Sequence, residues 1–212
     1  MWRELYKRKN FYWGLKPSPL LEKHIDEFKP DRALDIGCGE GRNAIFLAKH
    51  GFKVQAIDKE KTGIDKLKQY IKKYHLKNIY PREINALRFK MKPNYYSLVI
   101  AVHSLDFLKF SQINNLIKKI KQSVKKGGFV YLSVFSTKEP IYKKIKLKIK
   151  AIEKNTFFLR KIDSFRHFFT TRELKKFFRG WKIIFLKQRQ KKDFRPDIGE
   201  HYHNIIEIIA KK

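Results

Sequence analysis

Residues 32–43 read Arg-Ala-Leu-Asp-Ile-Gly-Cys-Gly-Glu-Gly-Arg-Asn, and the fold turns on how this stretch is resolved. Arg32 to Ile36 has the composition of a short strand, and it runs straight into glycines at 37, 39 and 41. Glycines let a chain turn sharply and let a ligand approach backbone that a Cβ would screen. The spacing then predicts a helix over Arg42 to His50, with Ala44, Leu47 and Ala48 apolar and Gly51 as its stop. Its N-terminal N–H groups are aimed back at the turn. A dinucleotide loop would place a glycine where Arg42 stands, and no Gly-Lys-Ser/Thr follows as a phosphate loop requires. The motif is instead Asp-x-Gly-x-Gly-x-Gly. The next expected strand, Phe52 to Ile57, ends at Asp58, seventeen residues past Gly41. An acid at the second strand's tip is placed to accept both hydroxyls of a ribose.

Working outward, strands and helices keep alternating. A helix is expected over Leu20 to Phe28, another over Lys61 to Tyr74, and a weak strand over Asn78 to Ile84. Ser97 to Val102 has the unbroken apolar character of a strand buried on both faces. Ser111 to Val124 is an amphipathic helix, and Gly127-Gly128 leads into a strand over Phe129 to Phe135. Further on, a basic helix over Tyr142 to Lys154, a helix over Thr171 to Phe178, and strands over Trp181 to Leu186 and Asn204 to Ala210 complete the reading. The alternation predicts an α/β, doubly wound, Rossmann-like sheet of seven mostly parallel strands, helices on both faces and an antiparallel last strand. One domain over 1–212 is expected, with a helical N-terminal lid over 1–30 and a basic helical insert over 137–170.

Composition bounds the function. The chain has 212 residues, with 50 Lys+Arg against 20 Asp+Glu and a formal charge of +30. Half of that excess lies between Thr137 and Lys192, where 19 basic residues stand against 4 acidic ones. Such a balance reads either as an electrostatic footprint for nucleic acid or another anion, or as a lysine-rich background. The longest apolar run, Leu98 to Val102, is far short of a membrane span. No apolar signal segment follows the basic start, and a cytoplasmic location is expected. A lone cysteine, Cys38, excludes an internal disulfide and a cysteine-based zinc cluster.

The loop Leu34 to Asn43, taken with Asp58, resembles the class I S-adenosylmethionine-dependent methyltransferases, and among them the tellurite-resistance type. Phe11-Tyr12-Trp13-Gly14, Tyr96 to Leu108, Lys126-Gly127-Gly128, Phe169 to Trp181 and the closing His201-x-His203 support the closer match. The resemblance implies S-adenosylmethionine as cofactor and S-adenosylhomocysteine as product. It implies that Asp35, Gly37, Cys38, Gly39 and Gly41 line the methionine part, that Asp58 holds the ribose, and that Lys59, Asn85 and Ala86 lie by the adenine. Asn85 stands where the family usually has an acid, so it offers an uncharged acceptor. Val102 closes the pocket at the fourth strand, and Tyr12 and Trp13 either cover the sulfonium or pack the first helix onto the sheet.

The acceptor is read from the variable parts. His103 is a base, an orienting group or a backbone support, and Asp106 faces the acceptor beside it. The stretch Val102 to Asp106 lacks the Asn/Asp-Pro-Pro-aromatic motif of exocyclic-amine nucleic-acid enzymes, and Cys38 is misplaced for cytosine-C5 chemistry. Arg195, His201 and His203 are the anion-contacting candidates. His201 and His203 point the same way on an extended chain, but no third ligand has matching local spacing, so no metal is expected. The reading is therefore methyl transfer to a small anionic or soft nucleophile. RNA modification through the basic insert is the alternative, and a fold that binds without turning over is the third. Oligomeric state is not legible.

Overall fold

The computed structural model describes residues 2–8, 10–195 and 199–212, and for Arg195 only the backbone. Among the described residues nine strands form two sheets. The larger is built from β1 (Arg32–Ile36), β2 (Lys53–Asp58), β3 (Ile79–Glu83), β4 (Tyr96–Val102), β5 (Val124–Phe135), β8 (Lys182–Arg195) and β9 (Gly199–Lys211). Its order is β3-β2-β1-β4-β5-β9-β8. The first five of these strands are parallel, while β9 runs antiparallel to both β5 and β8. The expected doubly wound sheet with an antiparallel last strand is what forms.

Burial explains the strand compositions. Leu34, Val99, Ile100, Leu132 and Ile208 are wholly inaccessible, because helices cover both faces. One face packs on α5 (Phe110–Ser123) and α7 (Thr171–Phe177), through Ile113, Leu116, Ile120 and Leu174. The other packs on α2 (Pro19–Lys23), α3 (Arg42–Lys49) and the inner side of α4 (Lys61–Lys73), through Leu21, Leu47, Phe52 and Leu67. The strand order reverses between β1 and β4, and the crevice at their carboxyl ends is where such sheets take ligands.

Several expected elements come out differently. The helix over Leu20 to Phe28 stops at Lys23 and continues as a 3-10 turn over Ile25–Glu27. The basic insert is not all helix. It holds α6 (Pro140–Lys148) and then a hairpin of β6 (Thr156–Leu159) and β7 (Ser164–His167). Phe157 and Phe168 bury themselves with Ile145 in a small cluster of their own, and that packing favours the hairpin over a longer helix. Finally, β8 and β9 run well past Leu186 and begin well before Asn204, as a paired ribbon from Lys182–Lys211 out to Arg195–Gly199. Short α1 (Trp2–Tyr6) lies over the glycine turn.

Candidate active site

The glycine turn is stapled to the second strand. The Gly37 and Cys38 N–H groups both donate to the Ile57 carbonyl, at 2.8 and 3.0 Å. Gly39 N–H and Glu60 N–H donate to the two oxygens of Asp58, each at 2.8 Å. Asp58 thus fixes the loop, and each of its oxygens keeps a further lone pair. Gly37, Gly39 and Gly41 have φ of 70°, 56° and 89°, which side chains rarely adopt. A glycine outside the motif belongs to the same machinery. At Gly63 in α4 a Cβ would sit 2.7 Å from the Gly39 carbonyl oxygen, so the helix lies flush against the loop. Nothing in the local pattern around Gly63 announces this.

Glu40 supplies the link to the N-terminal segment. Its carboxylate is buried, pairs with Lys66 Nζ at 2.6 Å, and accepts the Tyr12 N–H at 2.7 Å. Lys66 also donates to the Asn10 carbonyl at 2.8 Å. Residues 10–13 are therefore clamped beside the loop, with Trp13 over the cavity. Trp2 packs near Tyr6 and Trp13, with ring centres 6.0 and 6.2 Å away, and sets its edge on Phe107 at 5.5 Å. Tyr12 is buried against Trp13 and is not among the cavity-lining residues. Trp2, Tyr6 and Trp13 line the cavity beside the loop; of the pair expected either to cover the sulfonium or to pack, Trp13 reaches the cavity and Tyr12 packs.

One cavity of about 1490 Å³ collects most of the expected residues: Asp35, the glycine turn with Cys38, Asp58, Lys59, Asn85, Ala86, Val102 and His103. Ligand sites commonly measure roughly 300–1,000 Å³, so this volume has room for two molecules side by side. Asp35 is fully buried with Oδ2 unpartnered among the described residues. Burial, aided by the Asp58 charge, pushes its pKa up to about 7. Burial raises the Cys38 thiol well above its ordinary value, which keeps it protonated and unreactive. Asn85 is exposed, and its Oδ1 accepts the Leu87 N–H at 2.9 Å in a local turn.

At the other end, His103 sits just past β4 with φ 50°, a strained conformation of the kind concentrated at functional sites. Its Nδ1 lies 3.5 Å from Asp106 Oδ2, and its ring tilts over Phe135 at 4.6 Å. Burial lowers its pKa, against an opposing pull from Asp106. Asp106 itself is wholly buried, accepts the Phe135 N–H at 2.7 Å, and is not a lining residue. The expected acceptor contact becomes a group that stands behind His103. His203 lines the cavity, and His201 lies beyond it on the same ribbon. The Arg195 side chain lies outside the described residues.

Two cations that the sequence reading missed face this end. Arg166 in β7 is half-buried, with its guanidinium 4.4 Å from the Phe107 ring centre and 4.9 Å from that of Phe135. Among the described residues it makes no hydrogen bond or ion pair within bonding distance. Desolvation lowers its pKa, although Asp106 and Glu139 hold it up. Lys191 in β8 also lines the cavity and is lowered mainly by burial. Neither carries a local motif. Arg166 stands in Phe-Arg-His-Phe-Phe, which reads as core.

A doubly wound sheet with a glycine turn and a second-strand acid facing one cavity is the class I methyltransferase architecture. The chain matches the model of the tellurite resistance protein TehB over residues 18–142, more than half its length, and belongs to that family. It is 29% identical over 102 residues to the probable S-adenosyl-L-methionine-dependent methyltransferase TehB of Haemophilus influenzae, covering 47% of this chain and 34% of that one. The crystal structure of TehB from Haemophilus influenzae superposes with a TM-score of 0.72 at 19% identity, over 92% of this chain and 62% of the other. A SAM-dependent methyltransferase from Methanosarcina mazei gives 0.76 at 22%, over 93% and 98%. At these identities the structural likeness establishes the fold. The chain spans about a third of the curated relative's length. Among the described residues no helix is long and apolar enough to cross a membrane.

Proposed function

We propose that this chain, acting as one domain, is an S-adenosylmethionine-dependent methyltransferase whose acceptor is a small anion or soft nucleophile. The observation that carries the reading is the cavity's polarity. Asp35, Asp58 and the glycine backbone line one end. At the other the half-buried Arg166 and Lys191, which have no side-chain hydrogen bond or ion pair among the described residues, stand beside Glu139 and Asp193. The residues suit the cofactor. Asp35 lines the cavity with its Oδ2 unpartnered among the described residues, an acceptor that an ammonium or hydroxyl would satisfy, and the remaining Asp58 lone pairs suit a ribose diol.

When bound, S-adenosylmethionine supplies a methyl group made electrophilic by its sulfonium. The residues of this chain then bind, align and exclude water. Asp58 and the Gly37–Gly41 backbone hold the nucleoside and methionine ends, with Lys59, Asn85 and Ala86 beside the base and Val102 beneath. Trp2, Tyr6 and Trp13 cover the cavity, where aromatic faces favour a cation and keep water out. Arg166 and Lys191 orient an anionic acceptor, whose alignment is the main demand of such a transfer. His103, kept neutral by burial and steadied by Asp106, takes a proton from acceptors that carry one. Segments 1–30 and 137–170 act as the covers of the two ends.

An RNA acceptor finds no specific support. Phe157, Phe168 and Phe169 of the insert are turned into cores, whereas single-stranded nucleic acid needs aromatic faces to stack on. The test pairs calorimetric binding of S-adenosylhomocysteine with labelled methyl transfer to small thiols, chalcogen oxyanions and total RNA. Asp58→Ala should weaken product binding roughly 10-fold or more, since hydrogen bonds to a charged group are worth ~1.5–3 kcal/mol. Label in small molecules only is the expected result. A folded protein that binds no S-adenosylhomocysteine would sink the proposal.

A further inference from the structure

We propose that Asp193, His201 and His203 form a binding site for one divalent first-row transition ion, zinc(II) by its donor set, at the acceptor end of the cavity. The ribbon brings them together. Asp193 pairs with His201 across β8 and β9, and His203 follows two residues on, so all three share one face. One ligand atom from each lies within 4.8 Å of the others.

The hydrogen bonds dictate which ring nitrogens are free. His203 Nδ1 is 2.6 Å from Glu139 Oε1, and His201 Nδ1 is 3.0 Å from the Gly199 carbonyl oxygen. The second Glu139 oxygen accepts the Asn204 N–H, so this carboxylate acts as an acceptor throughout. Acceptors on both Nδ1 atoms require that both carry hydrogen, which in the neutral rings leaves a lone pair on each Nε2. These two Nε2 atoms face each other at 3.0 Å. Two lone pairs at that separation repel unless a proton or a metal ion lies between them.

The spacing suits a metal ion. Two Zn–N bonds of ~2.0–2.1 Å meeting at about 90–110° place their nitrogens roughly 2.9–3.4 Å apart. Glu139 then plays the usual outer role of a carboxylate that fixes a ligating histidine's tautomer and ring angle. Two imidazoles and a carboxylate are a donor set that zinc favours, and three protein ligands leave a fourth position open. Asp193 and His203 both line the cavity, so that position faces the space where an anionic acceptor would sit. The site needs no methyl transfer to exist. Local spacing could not reveal it, because its third donor comes from the other strand.

The test uses the metal alone. Cobalt(II) titrated into the full chain should give visible d–d bands of four-coordinate intensity that saturate at one equivalent and vanish on adding zinc(II). His201→Gln and Asp193→Asn should each weaken binding at least 10-fold, and together abolish the bands. His50→Gln, at an exposed histidine elsewhere, should leave them unchanged. Zinc should raise the thermal midpoint of the wild type and not that of the double variant, whose fold is checked by circular dichroism. If no saturable site appears at micromolar metal, a shared proton holds the histidine pair and the proposal is overturned. Undiminished binding in the double variant overturns it equally.

Discussion

Gly37→Ala tests whether the close approach of β1 and β4 shapes the cavity. Two costs are separable. Gly37 has φ 70°, and a left-handed conformation costs a residue with a side chain ~1–2 kcal/mol. The added Cβ would also lie 2.3 Å from Ser104 Cβ, where carbon atoms normally stand ~3.5–4.0 Å apart. Relieving that overlap by shifting backbone costs ~1–3 kcal/mol. The sum is ~2–5 kcal/mol, and a domain of this size loses ~2–4 °C per kcal/mol. Ser104→Gly should remove the overlap alone. Ser104 Oγ is buried without a partner among the described residues, so its loss breaks no hydrogen bond and adds only the ~0.5–1 kcal/mol of glycine entropy. The double variant should therefore be more stable than the two single effects predict by ~1–3 kcal/mol, read by denaturant unfolding of all four proteins. Binding of S-adenosylhomocysteine should recover in step. Additivity within ~0.5 kcal/mol would show that the Ser104 contact does not exist, and with it the argument for this wall of the cavity.

Asp35, raised to about 7 by burial, binds a proton in the folded chain that the unfolded chain has released above about 4. Its contribution to stability is present at acid pH and lost as pH climbs from about 4 through 7. Asp35→Asn should flatten that fall, and a thermal midpoint with the same pH slope as wild type would count against it. Arg166→Lys keeps the charge and loses the planar stacking between Phe107 and Phe135. It should raise KM for an anionic acceptor ~10-fold while leaving S-adenosylhomocysteine affinity within 2-fold, and a reversed pattern would move Arg166 to the cofactor end. His103, lowered by burial below its ordinary 6.5, would act as a base when neutral. With a protonated acceptor, kcat/KM should fall only on the acid side of that value, and His103→Gln should abolish the limb. An unchanged profile would leave His103 without a proton-transfer role.

The two ends of the cavity differ in how far the sequence exposes them. The cofactor end is local. Asp35 through Arg42 is one strand, one turn and one helix start, and Asp58 follows at the next strand tip, so spacing alone identifies the pieces. β4 and β5 were legible for a related reason, since strands buried on both faces must be continuously apolar. The other end depends on pairing between distant segments. Lys191, Asp193, His201 and His203 sit on a ribbon whose outward face is charged or polar, with no apolar run to mark it as strand. Their meeting depends on the Asp193–His201 register, which no short window contains. Arg166 is hidden by its phenylalanine neighbours. Asp106 was placed correctly in the chain but on the wrong side of His103, because a residue's depth is set by the strand that packs over it, here Phe135.

On the proposed reading the same contrast assigns the +30 charge a role. Exposed lysines act through water, where salt screens beyond roughly 8 Å, so their common field can raise the encounter rate of any anion but selects none. Arg166 and Lys191 act at short range inside a cavity, where the effective dielectric is far lower and each interaction is correspondingly stronger. Desolvating such cations costs stability, and the ring faces of Phe107 and Phe135 and the more distant carboxylates offset only part of that cost. An anionic acceptor would offset the rest, because it supplies a close partner only when it is bound in the cavity. On the proposed reading the few half-buried cations would choose the substrate, and the many exposed ones would set how fast it arrives.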